Sequence, residues 1–165
     1  MNIGVLKYMN LLISDPNLNI SAQYLDNKRL VKQILECRQI LKIYERLDQG
    51  EEKVAYMNHP IVKFYQNNKQ LVIDFAIACC DEYTYRYDKI HTYDKELRSI
   101  CSKKFHILKP DEIIYVEGDH RLSDNTTFAW MREKLIKKWI NAKYFVKWAK
   151  RDAPKFLCDF IKSHN

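Results

Sequence analysis

Glycine and proline are scarce in this chain, and their scarcity restricts its fold more than any other feature of the sequence. Only three glycines and four prolines occur in 165 residues. Sandwiches, barrels and doubly wound α/β domains need many tight turns, which draw on these two residue types. The sequence therefore predicts an all-α fold of about four to five helices joined by few connections.

The length of the chain is typical of one domain, so we expect a single compact unit over residues 1–165. Hydrophobic residues make up 47% of it, which is enough to fill one core. No apolar run approaches the roughly 20 residues of a membrane span, and no signal peptide is recognisable. We therefore expect an intracellular protein with no membrane partner.

Capping and turn residues predict where the helices begin and end. Five helices are expected. The first runs from Asn19 or Ser21 to about Leu47, and the second starts at Asn58-His59-Pro60, with proline in its first turn, and runs to about Tyr87. A short third helix starts at Asp94, a fourth runs from Asp124 to about Lys150, and Asp152-Ala153-Pro154 caps a last short one. Residues 1–9 should form a short extended start. A brief strand is expected at Ile113–Val116, in an otherwise irregular stretch.

The cysteines predict free thiols rather than disulfides or a metal site. They are odd in number and irregular in spacing: Cys37, Cys79, Cys80, Cys101 and Cys158. Cys79 and Cys80 would point about 100° apart on a helix, and no CxxC pair occurs. We expect neither a metal nor an organic cofactor.

The positive charge of the chain is confined to its C-terminal part. Residues 1–129 carry 18 basic and 18 acidic side chains, whereas residues 130–165 carry 10 and 3, which accounts for the whole net charge of +7. We call residues 130–165 the basic aromatic region. A polyanion such as DNA is the natural partner of such a region, and a solubilising helix face is the alternative.

Glu36 falls at the edge of the core-facing side of the first predicted helix. On a wheel of about 100° per residue, the apolar side chains share one side, namely Leu30, Val31, Ile34, Leu35, Cys37 and Leu41. Glu36 lies outside that stripe, beside Arg29, Lys32, Gln33 and Ile43. The spacing fits an exposed ion pair with Lys32, and it equally fits a carboxylate poised for acid–base chemistry on a phosphate-binding face.

Four segments resemble the pyrimidine dimer DNA glycosylase family, and they occur in the same order. Residues 24–36, YLDNKRLVKQILE, resemble its first-helix motif, and residues 58–60 match the NHP that opens the next helix. Residues 82–87, EYTYRY, resemble an EYTYRYG segment of phage members. Residues 145–156, FVKWAKRDAPKF, are similar to a closing FAKWKNRExPEWF run. Together they extend from residue 24 nearly to the end of the chain.

This resemblance implies a helical DNA repair glycosylase with an associated AP-lyase activity on damaged or modified pyrimidines. It implies that a chain-terminal α-amine attacks the deoxyribose C1′, expels the base and forms an imine that permits β-elimination of the 3′ phosphate. By motif register, Glu36 is the carboxylate that assists proton transfer. An α-amine has a pKa of about 8, so a usable fraction is neutral at physiological pH.

The resemblance leaves the identity of the amine open. A phage member of the family presents a small residue after loss of methionine, whereas Asn2 in this chain is too large for ordinary processing. The candidate nucleophiles are the Met1 amine, the Asn2 amine after processing, and Lys28 as a substitute. A lysine on a basic helix face also fits a phosphate contact or a solvated charge. Extra residues between Leu6 and Asp15 alter the path from the terminus to Glu36.

Double-stranded DNA is the expected partner. The candidate contacts are basic, aromatic or histidine side chains, namely Lys28, Arg29, Lys32, His59, Arg86, Lys147, Trp148, Lys150 and Arg151. His59, at a helix start, also fits a local backbone hydrogen bond. A non-catalytic DNA-binding or virion-associated structural protein on the same fold is the alternative function, and an amine close to Glu36 would favour the enzyme.

Overall fold

Helices dominate the part of the chain that the structure describes. This computed structural model describes residues 9–100, 113–116, 119–122 and 125–165. The helices in these residues are α1 Leu18–Tyr24, α2 Asn27–Asp48, α3 Pro60–Tyr65, α4 Lys69–Tyr87, α5 Asp94–Ile100, α6 Asn125–Ile140 and α7 Lys155–His164. β1, Ile113–Val116, pairs antiparallel with β2, Asp119–Leu122, in a two-stranded hairpin. The predicted all-α fold is confirmed, with more helices than the four or five expected.

Helix α4 forms the centre of the core. Its residues from Leu71 to Cys80 are all buried, so the helix has no solvent-facing side over this stretch. A helix that is apolar on nearly every side belongs in a core. Helices α1 and α2 pack against it, and α2 contributes buried apolar residues three or four apart, including Leu30, Ile34, Cys37 and Leu41.

Side-chain caps set where two of the shorter helices begin. The Asn17 Oδ1 accepts hydrogen bonds from two backbone N–H groups in the first turn of α1, at 3.0 and 3.3 Å. His59 caps α3, because its Nδ1 accepts from the backbone N–H of Ile61 at 3.2 Å and Pro60 occupies the first helical position. His59 thus makes the local hydrogen bond that was one of its two expected roles.

The first predicted helix is in fact two helices, α1 and α2. The chain is extended at Leu25 and Asp26, where ψ is 132° and 166°. Asp26 bonds from there to Trp139 and Tyr144, more than 100 residues along the chain. These contacts compete with continuation of the helix, and no local pattern could reveal them.

The second predicted helix is also divided, into α3 and α4. The break spans residues 66–68, where Asn67 and Asn68 are poor helix formers because their amides compete for backbone hydrogen bonds. The predicted short helix from Asp94 and the strand Ile113–Val116 are confirmed as α5 and β1.

Helix α6 ends at Ile140, well before the predicted end at Lys150. The chain beyond it bonds to other elements: the Lys147 carbonyl accepts from the Asn27 N–H at 2.9 Å, and the Ala149 N–H donates to the Asn27 side chain at 2.9 Å. Tertiary hydrogen bonds have replaced helical ones. The last helix begins at Lys155, after the predicted capping sequence.

Two further predictions concern residues outside the described ones, namely the Asp124 cap and the extended start over residues 1–9, of which the structure describes only Met9. In the described part of the chain, no helix combines the length and the apolar composition that a membrane crossing requires.

Candidate active site

Glu36 and Gln33 lie one turn apart on α2, and both are covered by the segment that precedes α1. Their exposed fractions are 1% and 2%. The Gln33 Nε2 donates to the Asn10 carbonyl at 2.8 Å, and its Oε1 accepts from the Leu12 N–H at 2.7 Å. The helical wheel placed Glu36 at the rim of the apolar stripe. In the structure it is buried, because residues 9–13 cover this flank of α2.

The Glu36 carboxylate has one close side-chain hydrogen-bond donor and one more distant cation. The Gln33 Nε2 donates to its Oε2 at 2.6 Å, and the Lys32 Nζ lies 3.6 Å from its Oε1. Oε1 makes no hydrogen bond to any of the described residues. The ion pair that the spacing allowed is therefore present, but it only partly compensates the buried charge. Incompletely compensated buried carboxylates concentrate at functional sites.

Burial raises the pKa of Glu36 to about 7, and the positive charge of Lys32 opposes that rise. An exposed glutamate, with a pKa of about 4.3, is almost wholly ionised at neutral pH. Glu36 instead populates both protonation states there, so it can accept a proton in one step and donate one in another. The burial of this side chain gives it the capacity for acid–base chemistry.

Glu36 lines a pocket of about 300 Å³ whose walls come from α2, α6 and two non-helical segments. We call it the Glu36 pocket. Its lining residues are Asn10, Leu12, Lys28, Arg29, Lys32, Gln33, Glu36, Lys138 and Tyr144. Four of them are basic and one is acidic, so a phosphate is attracted to the same place as the buried carboxyl group.

Asp26, which is buried at the start of α2, fixes one wall of the Glu36 pocket. Its carboxylate accepts hydrogen bonds from Arg29 at 2.8 Å, from the Trp139 indole at 3.1 Å and from the Tyr144 hydroxyl at 2.9 Å. Arg29 also donates to the Tyr144 hydroxyl, and to the Lys138 carbonyl at 3.1 Å. One buried carboxylate thereby connects α2, the end of α6 and the segment that follows it.

Three of the predicted DNA contacts, Lys28, Arg29 and Lys32, come together in the Glu36 pocket. Lys28 is exposed, and its ammonium lies 4.2 Å from the centroid of the Tyr144 ring. The side chain of Lys32 is 51% exposed, whereas that of Arg29 is 15% exposed and its guanidinium is bonded to Asp26. Lys28 and Lys32 are therefore the accessible cations of the three, and Arg29 holds the wall together.

Arg86 and Arg151 form a second cluster, around Glu82. The Glu82 Oε1 accepts from the Arg86 Nε at 2.7 Å, and its two oxygens accept from Arg151 at 3.0 and 2.9 Å. Arg86 is 2% exposed and also donates to the Asn27 Oδ1 at 3.1 Å. This cluster anchors the basic aromatic region to α2 and α4. The Arg86 side chain is fully buried within this cluster.

The remaining predicted contacts in the basic aromatic region differ in exposure. Trp148 is half-buried, and its indole N–H donates to the Tyr24 carbonyl at 3.0 Å. Lys147 and Lys150 are exposed, and the Lys150 ammonium forms an ion pair with Asp88. The outward-facing members of this predicted set are thus its lysines.

The candidate nucleophiles Met1 and Asn2 lie outside the described residues, so their distance from Glu36 stays a prediction. The described chain begins at Met9, and the next residue, Asn10, already lines the Glu36 pocket. Lys28, the third candidate amine, lines the same pocket.

Sequence reasoning did not assign five of the lining residues to the site, namely Asn10, Leu12, Gln33, Lys138 and Tyr144. Only Gln33 had a local signal, since it lies three residues before Glu36 and therefore on the same helix face. Lys138 and Tyr144 belong to the basic aromatic region, but nothing in their spacing relates them to a residue on α2.

The described residues contain no group of three or more His, Cys, Asp or Glu side chains that could hold a metal ion. Four of the five cysteines are free thiols, as predicted: Cys37, Cys79 and Cys80 are buried, and Cys158 is half-buried. Burial raises the pKa of the Cys37 and Cys79 thiols well above the usual range, which disfavours the reactive thiolate form. Cys101 lies outside the described residues.

Comparisons with curated proteins and with solved structures found no match. A family model described as pyrimidine dimer DNA glycosylase matches residues 9–95. This match covers more than half of the chain and includes α1 to α4, Glu36, Gln33 and the accessible lysines of α2. It confirms the family that the four sequence segments indicated. The chain belongs to the pyrimidine dimer DNA glycosylase family.

Proposed function

We propose that this protein is a DNA repair glycosylase with an associated AP-lyase activity, acting on duplex DNA that contains damaged or modified pyrimidines. One observation carries the proposal: a buried carboxyl group with a pKa of about 7 lies among four basic residues in one pocket. Phosphate attraction and proton transfer are thus available at the same place, which is what chemistry on a nucleotide sugar requires.

The proposed reaction forms and breaks bonds at one sugar carbon. The amine nitrogen bonds to C1′ while the bond from C1′ to the base breaks, and the base leaves with the electron pair and gains a proton. Loss of the amine proton and opening of the sugar ring give an imine. Removal of a C2′ proton then expels the 3′ phosphate. Glu36 is the group that accepts and returns protons, because its pKa lies near the working pH.

The nucleophile is proposed to be the α-amine of Met1, or of Asn2 after processing, with Lys28 as the substitute. Support comes from chain length, since Asn10 lines the Glu36 pocket and an extended chain spans about 3.3–3.6 Å per residue. The residues before Asn10 are enough to bring either amine to Glu36. Lys28 needs no such reach, because it lines the pocket itself.

The DNA surface is proposed to include the exposed cations Lys28, Lys32, Lys147 and Lys150. Arg29, Arg86, Trp148 and Arg151 support that surface from within, since each is bonded to another part of the fold. His59 caps α3. These bonds give the buried members a positioning role.

Borohydride trapping tests the proposed function. Duplexes with a single thymine dimer, with a single abasic site, or with neither are incubated with the protein and sodium borohydride. We expect a covalent protein–DNA adduct and strand nicking on the first two and neither on the third. Blocking the α-amine by reductive methylation under conditions that spare lysine separates Met1 or Asn2 from Lys28, and Lys28→Met tests the substitute directly.

The matched control is Glu45→Gln, a change of the same chemistry on the same helix, at a side chain that is 51% exposed. Glu36→Gln should abolish turnover and keep DNA affinity, whereas Glu45→Gln should change neither. Salt-dependent DNA binding without any adduct would contradict the enzyme and would establish the non-catalytic DNA-binding protein instead.

A further inference from the structure

Residues 143–147, which we call the 143–147 strip, alternate strictly in exposure. Lys143, Phe145 and Lys147 are exposed, whereas Tyr144 and Val146 are half-buried. An alternation with a period of two places one set of side chains against the protein and the other set toward solvent. The strip therefore presents an aromatic ring between two ammonium groups.

Phe145 is the most exposed of the large apolar side chains in the described residues, at 86%. Burying such a side chain is favourable, and nothing in the described part of the fold covers it. A single exposed apolar residue needs no explanation in itself. Phe145 differs from an isolated exposed residue because it directly follows Tyr144, which forms a wall of the Glu36 pocket.

Hydrogen bonds and core packing attach the inward-facing side of the strip to the rest of the fold. The Tyr144 hydroxyl donates to the buried Asp26 at 2.9 Å, and its ring is a wall of the Glu36 pocket. The Lys147 carbonyl accepts from the Asn27 N–H at 2.9 Å. Val146 packs against the core. Phe145 is therefore presented to solvent from a backbone that is fixed on both sides of it, directly beside the pocket.

The charges of the strip are not compensated within the described part of the protein. Neither Lys143 nor Lys147 forms an ion pair with a described residue, and both side chains are exposed. Protein–protein interfaces are depleted in lysine, whereas phosphate contacts draw on it. An aromatic ring between lysines matches the pattern by which proteins bind nucleic acids, through base stacking and backbone contacts together.

We propose that the 143–147 strip is a DNA-contacting element in which Phe145 stacks on bases beside the Glu36 pocket and Lys143 and Lys147 bind the flanking phosphates. Base chemistry in a duplex requires a nucleotide to leave the stack, and an apolar wedge at the vacated step lowers the cost of that opening. The inference deepens the proposed function and rests on its DNA substrate. It assigns to the 143–147 strip and to Phe145 a role in separating stacked bases, whereas Glu36 acts at the sugar.

Equilibrium binding tests the strip without any need for turnover. Fluorescence anisotropy measures affinity at several salt concentrations, and 2-aminopurine beside an abasic-site analogue reports unstacking. Phe145→Ala should weaken binding at least about 5-fold, which is the low end of a base–aromatic stack, with an unchanged salt slope. Lys143→Ala and Lys147→Ala should each reduce the slope by about 0.9. Phe145→Trp keeps an aromatic ring at this position, so it should retain the affinity and the 2-aminopurine signal that Phe145→Ala loses.

The matched control is Ile90→Ala, since Ile90 is 71% exposed and is not among the residues that line the Glu36 pocket. Equal affinity and equal 2-aminopurine signal for wild type and Phe145→Ala would overturn the inference, as would a loss of the same size in Ile90→Ala. Self-association that is lost in Phe145→Ala would assign the strip to a protein interface instead. These assays measure binding and not cleavage. An absence of strand nicking would therefore contradict the proposed function, whereas the binding data would still decide whether the 143–147 strip contacts DNA.

Discussion

The side-chain amide of Gln33 connects the Glu36 carboxylate to the chain before α1: its Nε2 lies 2.6 Å from the Glu36 Oε2 and 2.8 Å from the Asn10 carbonyl oxygen. Both hydrogens of the amide nitrogen are thereby used, and its oxygen accepts from the Leu12 N–H at 2.7 Å. The position of the carboxylate and the position of the pocket wall are therefore coupled through one buried side chain.

Gln33→Ala should lower the free energy of unfolding by about 2–4 kcal/mol. The substitution leaves the buried Leu12 N–H and the Asn10 carbonyl without their partner, and each such group costs about 1–3 kcal/mol. Urea denaturation followed by tryptophan fluorescence measures the change. Gln66→Ala, at an exposed position, is the control and should stay within about 0.5 kcal/mol of wild type. A Gln33→Ala protein as stable as this control would refute the bridging role.

Glu36 should make stability depend on pH. Folding raises its pKa from 4.5 to about 7. The contribution of Glu36 to the free energy of unfolding is therefore fully present below pH 4.5 and is lost as the pH rises through 7. Relative to Glu36→Gln, which stays neutral, the wild type should lose about 3 kcal/mol of unfolding free energy over this range. Denaturation curves at a series of pH values measure the difference, and Glu45→Gln should show none. A pH-independent difference between wild type and Glu36→Gln would mean that the carboxyl group titrates normally.

Lys32→Met should raise the pKa of Glu36 further, because the lysine charge favours the ionised carboxylate and opposes the effect of burial. The side-chain carboxyl carbon of Glu36, followed by NMR during a pH titration, reports the pKa directly. Lys42→Met lies on the same helix and pairs with Glu45 and Glu96 instead, so it should leave the titration of Glu36 unchanged. An unchanged or lowered pKa in Lys32→Met would show that the lysine does not act on this carboxyl group.

Asp26→Asn should destabilise the fold by about 3–5 kcal/mol, as expected when one partner of a buried charged network is removed. The new amide cannot accept from Arg29, Trp139 and Tyr144 together, and its own hydrogens would face donors. Thermal or urea unfolding gives the size of the loss. Asp48→Asn, in an exposed ion pair with Lys69, should cost no more than about 1 kcal/mol. Similar losses of stability in the two variants would show that Asp26 does not anchor this part of the fold.

Local patterns predicted the helical class, the cap at His59 and the short helix from Asp94, because helical spacing and capping residues act within a few positions. They missed the break at Asp26 and the early end of α6. In both places long-range hydrogen bonds override the local preference: Asp26 bonds to Trp139 and Tyr144, and Asn27 bonds to the chain after α6.

In the candidate site, too, local signals could be read from the sequence and long-range contacts could not. Motif register identified Glu36, and helical spacing associated it with Lys32. Burial of the carboxyl group depends on residues 9–13, which cover α2 without any periodic signal. The burial of Arg86 was not predicted for a related reason, since its partner Glu82 is local but its contact with Asn27 is not.

The most direct test of Glu36 as the acid–base group is the single-turnover rate of strand cleavage on a thymine-dimer duplex, measured at saturating protein for wild type, Glu36→Gln and Glu45→Gln. General acid–base catalysis contributes about 100-fold or more, so Glu36→Gln should lose at least that much in rate, while its Kd for the same DNA stays within about 3-fold of wild type. Glu45→Gln should match the wild type in both. A Glu36→Gln protein that cleaves at the wild-type rate would contradict the account.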